Sequence, residues 1–172
     1  MLRWLIHRRL KAEEKTLGES VDYLHHVVDV SPTAFLRFAS IMPFANSRKV
    51  LPKDAWFVAQ IVALQHEDCG PCLQITLNLA QKAGVDAALL RAALNGNCQE
   101  LPADLVDVLQ FTRAVTVDGS DADELREVLR KRYGERGLIE LSYAIASSRI
   151  PPTVKRCLGY AKSCSLVPAH VR

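Results

Sequence analysis

The sequence predicts an all-α, single-domain protein, and three observations carry that expectation. Apolar residues recur at helical spacing along nearly the whole chain. No segment alternates with a period of two. Gly and Pro punctuate the chain at short intervals. Composition agrees: aromatic residues make up 6% of the 172 residues, and Ala and Leu dominate, which favours helix over strand. At 49% hydrophobic and 24% charged, the chain has enough apolar surface to offset chain entropy, which excludes a disordered or low-complexity protein. No repeat and no long linker divides it. The expected organisation is a basic helical arm at 1–17 and one helical domain at 18–172.

Each element has its own signal. Residues 1–15 read as an amphipathic arm whose Arg3, Arg8, Arg9, Lys11 and Lys15 form a solvated face. Val21, Leu24, Val27 and Val28 follow at helical spacing. Ser31-Pro32 is an N-cap with a first-turn proline, opening a helix that carries Phe35, Leu36, Phe38 and Ile41; Pro43 should end or kink it. Pro52 opens the next helix. Its run 55–64 is apolar on nearly every side and belongs at the centre of the core.

Gly70-Pro71 starts another helix, to about Ala83, with Gly84 as its stop. Asp86 caps a helix bearing Leu89, Leu90 and Leu94, which Asn95-Gly96 ends. Pro102 opens a helix with Leu105, Val108, Leu109 and Phe111. Ser120 and Asp123 are spaced as a capping box ahead of Leu125, Val128 and Leu129. The stretch 138–148 is apolar on one broad face. Pro151-Pro152 should break it and open a last helix to about Cys164.

Charge and hydropathy exclude several classes of partner. The net charge of +3, from 22 Lys+Arg against 19 Asp+Glu, is too balanced for a nucleic-acid partner. The longest uncharged stretches, 55–66 and 69–81, fall well short of the roughly 18 apolar residues of a membrane span. No secretory signal is visible, because His7-Arg8-Arg9 interrupts the apolar start. The expectation is a cytoplasmic protein without a membrane partner. A helix apolar nearly all round, in a chain of this size, predicts a homo-oligomer.

The five cysteines are Cys69, Cys72, Cys98, Cys157 and Cys164. An odd number without a secretory signal argues against a disulfide framework. Cys69-Gly70-Pro71-Cys72 carries chemistry by its position. Pro71 fits a helix start, which puts Cys72 in the first turn and Cys69 just outside it. Free N–H groups and the positive dipole end there stabilise a thiolate. Three readings stand: a redox dithiol, half of a zinc site completed by Cys157 and Cys164, or two inert core cysteines.

Glu67 and Asp68 lie just upstream, where their charge opposes thiolate formation. Glu67 could instead take the thiol proton as general base, and His66 could relay a proton or simply end a buried helix. Gln74 and Asn78 share a helix face that could bind a substrate or hold a subunit contact. Cys98 falls in a loop. Cys157 and Cys164 read as small buried hydrophobes.

An apolar helix, the C-x-x-C at a helix start, the segment "AGVDAALLRAALNG" and the helix pair "FTRAVTVDGSDADELREVL" together resemble the AhpD-like alkylhydroperoxidase and carboxymuconolactone decarboxylase superfamily over roughly residues 20–150. The resemblance implies an AhpD-like helical bundle that assembles as an oligomer. It implies a thiol-dependent hydroperoxide reductase, in which Cys72 is the peroxidatic thiolate and Cys69 resolves it. The implied partners are a peroxide or other small molecule and a dithiol reductant such as a lipoyl-bearing protein, with no cofactor and no metal.

The family's relay Glu and His fall here on Phe57 and Thr76, and Pro71 stands where many members carry His. In "HEDCGPCLQIT", which looks like a branch-specific variant, Glu67 is the residue that could replace the missing base. Two alternatives stand beside this reading. One is a non-enzymatic redox-sensing or interaction protein of the same fold; the other is a decarboxylase-like enzyme.

Overall fold

The computed structural model describes residues 1–117, 122–161 and 171 of the chain. Among these residues there is no strand, and helices cover 78%. In order they are α1 (Leu2–Leu17), α2 (Asp22–Val30), α3 (Pro32–Ala39), α4 (Met42–Ala45), α5 (Lys53–His66), α6 (Gly70–Lys82), α7 (Ala87–Asn95), α8 (Ala103–Thr116) and α9 (Ala122–Cys157). Ser120 and Cys164 lie outside the described residues, and the expectations placed on them go with them.

Most boundaries follow the punctuation of the sequence. Ser31 Oγ accepts from Ala34 N (3.2 Å) and Pro32 follows as the first helical residue. Asp86 Oδ1 accepts from the backbone N–H of Ala88 and Leu89. Gly84 and Gly96 take the left-handed conformation just past α6 and α7, where a side chain would be strained.

α5 is the central helix. Ala55, Trp56, Val58, Ala59, Ile61, Val62, Ala63 and Leu64 are all buried, against α6, α7, α8 and α9 of the same chain. The all-round apolarity of α5 is therefore satisfied within one chain, and it gives no ground for an oligomer. A second, smaller cluster joins Ile6 and Leu10 of α1 to Val21, Tyr23 and Val28. The basic arm is thus a packed helix whose inner stripe is covered.

α9 departs from expectation. Helical backbone runs through Pro151-Pro152 to Cys157, and the only non-helical residue within it is Gly134 (φ 71°, ψ 173°). Proline's fixed φ is compatible with a helix; its cost is the missing N–H and crowding of the preceding turn. Here Pro152 is fully buried in packing that offsets this cost. Flanking hydroxyls turn back onto the helix: Ser148 Oγ donates to Ala144 O (2.7 Å) and Thr153 Oγ1 to Arg149 O (2.8 Å). Glycine supplies the break instead, because φ near +70° is open to it without a Cβ clash.

Glu140 on α9 fixes the segment before α5. One of its oxygens accepts from the backbone N–H of Lys49 (3.0 Å), Val50 (2.8 Å) and Leu51 (2.8 Å). Burial pushes this carboxyl up, but those three donors and Arg136 outweigh it and hold it down at about 2.

Candidate redox site

The site is the corner between α5 and α6. α5 ends at His66, and Glu67 is its C-cap. Asp68 then takes φ 48°, a left-handed conformation that Asp tolerates better than most side chains. This reverses the chain so that Cys69 becomes the N-cap of α6, with Gly70 and Pro71 in its first turn. Cys72 lies within that turn, as the sequence predicts.

Cys69 and Cys72 are joined by a disulfide, with Cα atoms 5.3 Å apart, inside the range that a bridge needs. Both residues are buried, 3% and 7% exposed. Half-buried Cys98 and exposed Cys157 are free thiols. When reduced, the Cys72 thiolate would sit in the first turn of α6, where unsatisfied N–H groups and the dipole favour negative charge.

Glu67 is buried at 7% exposed, and both its oxygens are occupied. Arg149 Nε donates to Oε1 (2.6 Å), and Arg156 Nη2 donates to Oε2. Arg156 Nη1 also reaches the Glu67 backbone carbonyl (2.9 Å). Two turns of α9 are thereby tied to the end of α5. Burial alone would raise the Glu67 carboxyl; the bonds and charges of Arg156 and Arg149 outweigh it and leave it below the usual carboxylate range. A carboxylate so held is a weak base with no free oxygen. The structure gives Glu67 the work of an anchor, where the sequence reading made it a base.

His66 is exposed and makes no hydrogen bond or ion pair among the described residues. The two relay positions hold no titratable group: Thr76 is buried and Phe57 packs half-buried on the core. Gln74 Nε2 donates to Asn78 Oδ1 (3.0 Å), and Asn78 Nδ2 donates to the Leu17 carbonyl (2.7 Å). That amide face holds the end of α1 in the same chain. Lys82 adds a bond to the Thr16 carbonyl.

Cys157, expected to be a buried hydrophobe, is exposed in the last turn of α9. It borders an open apolar groove of about 280 Å³ with Leu24, Val27, Phe38 and Val154. No group of three or more His, Cys, Asp and Glu is placed to hold a metal among the described residues. Nor is any helix there long and apolar enough to cross a membrane. Arg149 and Arg156 were not legible as site residues. Two basic residues seven apart on a helix look like any solvated face until the partner carboxylate is known.

No family model, curated protein or solved structure matches the chain. The resemblance to AhpD-like proteins rests on the sequence motifs alone.

Proposed function

We propose that the chain is an AhpD-like thiol oxidoreductase that reduces hydroperoxides. The observation that supports this reading best is the Cys69–Cys72 bridge at the start of α6. In the reduced protein the Cys72 thiolate attacks the terminal oxygen of a hydroperoxide. The O–O bond breaks, Cys72 becomes a sulfenic acid, and the leaving alkoxide takes a proton to become an alcohol. The Cys69 thiol condenses with the sulfenic acid, releasing water and forming the disulfide. A dithiol reductant, for which a lipoyl-bearing protein is a candidate, returns two electrons and two protons and is itself oxidised to a disulfide.

In this reading Cys72 and Cys69 are catalytic and Glu67 is a positioning residue. Exposed His66, three residues before Cys69, is the residue proposed to protonate the alkoxide. A homo-oligomer in the cytoplasm remains part of the proposal. A second reading is favoured by the burial of both cysteines. A bridge that a protein reductant reaches only after local opening suits a redox sensor.

The test is peroxide consumption with dihydrolipoamide as reductant, in the wild type and in Cys72→Ser and Cys69→Ser. Catalytic turnover lost in both variants, with Cys69→Ser retaining a single burst, supports the enzyme. A bridge that forms and breaks without turnover supports the sensor.

A further inference from the structure

α1 is held on α2 by a row of four titratable side chains outside the redox corner. Asp29 Oδ1 lies 2.9 Å from His7 Nε2. His7 Nδ1 lies 2.6 Å from His25 Nδ1. His25 Nε2 lies 3.6 Å from Glu14 Oε1. The two imidazole planes are 5° apart with centroids 4.9 Å apart. Nearly parallel rings whose nitrogens are much closer than their centroids meet edge to edge, through a hydrogen bond between the two Nδ1 atoms rather than face to face.

Such a bond needs a proton on one nitrogen and a lone pair on the other. The flanking carboxylates decide which. His7 donates Nε2–H to Asp29, so its Nδ1 carries the lone pair while the ring is neutral. His25 would then donate Nδ1–H to it, and a proton added at His25 Nε2, which lies 3.6 Å from Glu14 Oε1, would leave that bond intact. The arrangement therefore accommodates one excess proton on the two rings. We propose that this His7–His25 pair is a one-proton latch that holds α1 in place and opens when a second proton arrives. A second proton puts N–H on both facing nitrogens of two adjacent cations, and the bond becomes a repulsion.

Asp29 and Glu14 are the charged groups in contact with the two rings. Glu14 also accepts from Val21 N (2.8 Å) and Ser20 Oγ (3.4 Å) at the start of α2. On α1, Arg3 and Lys11 lie one turn from His7; on α2, Asp22 and His26 lie within one turn of His25. On α6, Lys82 is bonded to the Thr16 carbonyl, and on α9, Lys155 lies over the Tyr23 ring. Arg37 lies in the last turn of α3, which packs on α2. None of these donates to or accepts from either imidazole. Opening would uncover Ile6 and Leu10 and loosen the end of α1 that Asn78 and Lys82 hold on the dithiol helix.

Amide hydrogen exchange of the full chain at pH 8 and pH 5.5, corrected for intrinsic rates, tests this. Imidazoles ordinarily change charge across that interval, whereas carboxylates ordinarily titrate below it. Exchange over 2–17 should rise about tenfold or more at pH 5.5, the ratio equivalent to about 1.4 kcal/mol of a charge-assisted hydrogen bond, with α5 unchanged. In the double variant His7→Gln, His25→Gln the rate over 2–17 should not depend on pH. A wild-type rate that does not rise, or a rise that persists in the variant, overturns the proposal. Nitrogen NMR of the wild-type imidazoles gives a second reading that needs no variant. Two separate protonation steps shared by the rings support the latch, and two coincident independent titrations overturn it.

Discussion

Two buried glutamates hold this fold together in different ways. Glu140 is bound by three backbone N–H groups of one segment, while Glu67 is bound by two arginine side chains that are 42% and 46% exposed. Backbone donors are fixed by the chain path, so Glu140 keeps its partners as long as the segment 49–51 keeps its course. Guanidinium groups on long side chains can leave and be replaced by water. The first glutamate is a structural pin, and the second is a clasp on the redox corner. The difference teaches that burial of a carboxylate does not mark a functional base; the nature and mobility of its partners do.

The largest expected effect breaks the pin. Glu140→Ala leaves the buried Leu51 N–H and the part-buried N–H groups of Lys49 and Val50 without their acceptor and should cost about 3 kcal/mol or more, read as a fall in the denaturation midpoint. Next comes acid. The Glu140 carboxyl sits at about 2 in the folded protein against 4.5 as its ordinary value. Its contribution is therefore whole above about pH 4.5 and fades as pH falls through about 2. The loss should amount to about 3 kcal/mol in acid, and Glu140→Gln should abolish that part of the pH profile. A wild type and variant with parallel stability profiles would contradict the pin.

The clasp should be weaker. Glu67→Gln should cost only about 1 kcal/mol, because solvent screens the half-exposed arginines. Its sharper readout is kinetic. Removing the negative charge leaves Arg149 and Arg156 beside the corner, so alkylation of the reduced Cys72 should become a few times faster. A slowing of about 10²–10⁴-fold would mean that Glu67 is a general base after all. The smallest effect lies at the turn itself. Asp68→Val forces a β-branched side chain into the left-handed region and should cost about 1 kcal/mol, while Asp68→Gly should be nearly neutral.

Local chemistry made most of the helices legible. Ser31-Pro32, Asp86 and Gly96 act through their own backbone and neighbours; the first two start helices and Gly96 ends one where the sequence says they should. The dithiol was legible for the same reason, since a C-x-x-C at a helix start closes within four residues. Pro151-Pro152 misled because a proline's cost depends on packing that only the fold supplies; Gly134 was a quieter and truer break. The clasp was hidden because Glu67 lies 82 and 89 positions from its two arginines. What covers α5 was hidden for a related reason: periodicity shows how much of a helix needs covering, and the fold, here α6, α7, α8 and α9 of the same chain, decides what covers it.

Cysteine mapping during a single turnover is the sharpest test of the proposal that Cys69 and Cys72 are a reversible dithiol driven by peroxide. Fully reduced protein is given one equivalent of an alkyl hydroperoxide, quenched by alkylation and digested. One alcohol should form per Cys69–Cys72 bridge, with Cys98 and Cys157 still alkylated, and both thiols should return fully with dihydrolipoamide. A dominant bridge to any other cysteine, or unreacted hydroperoxide beside a fully reduced pair, would contradict it.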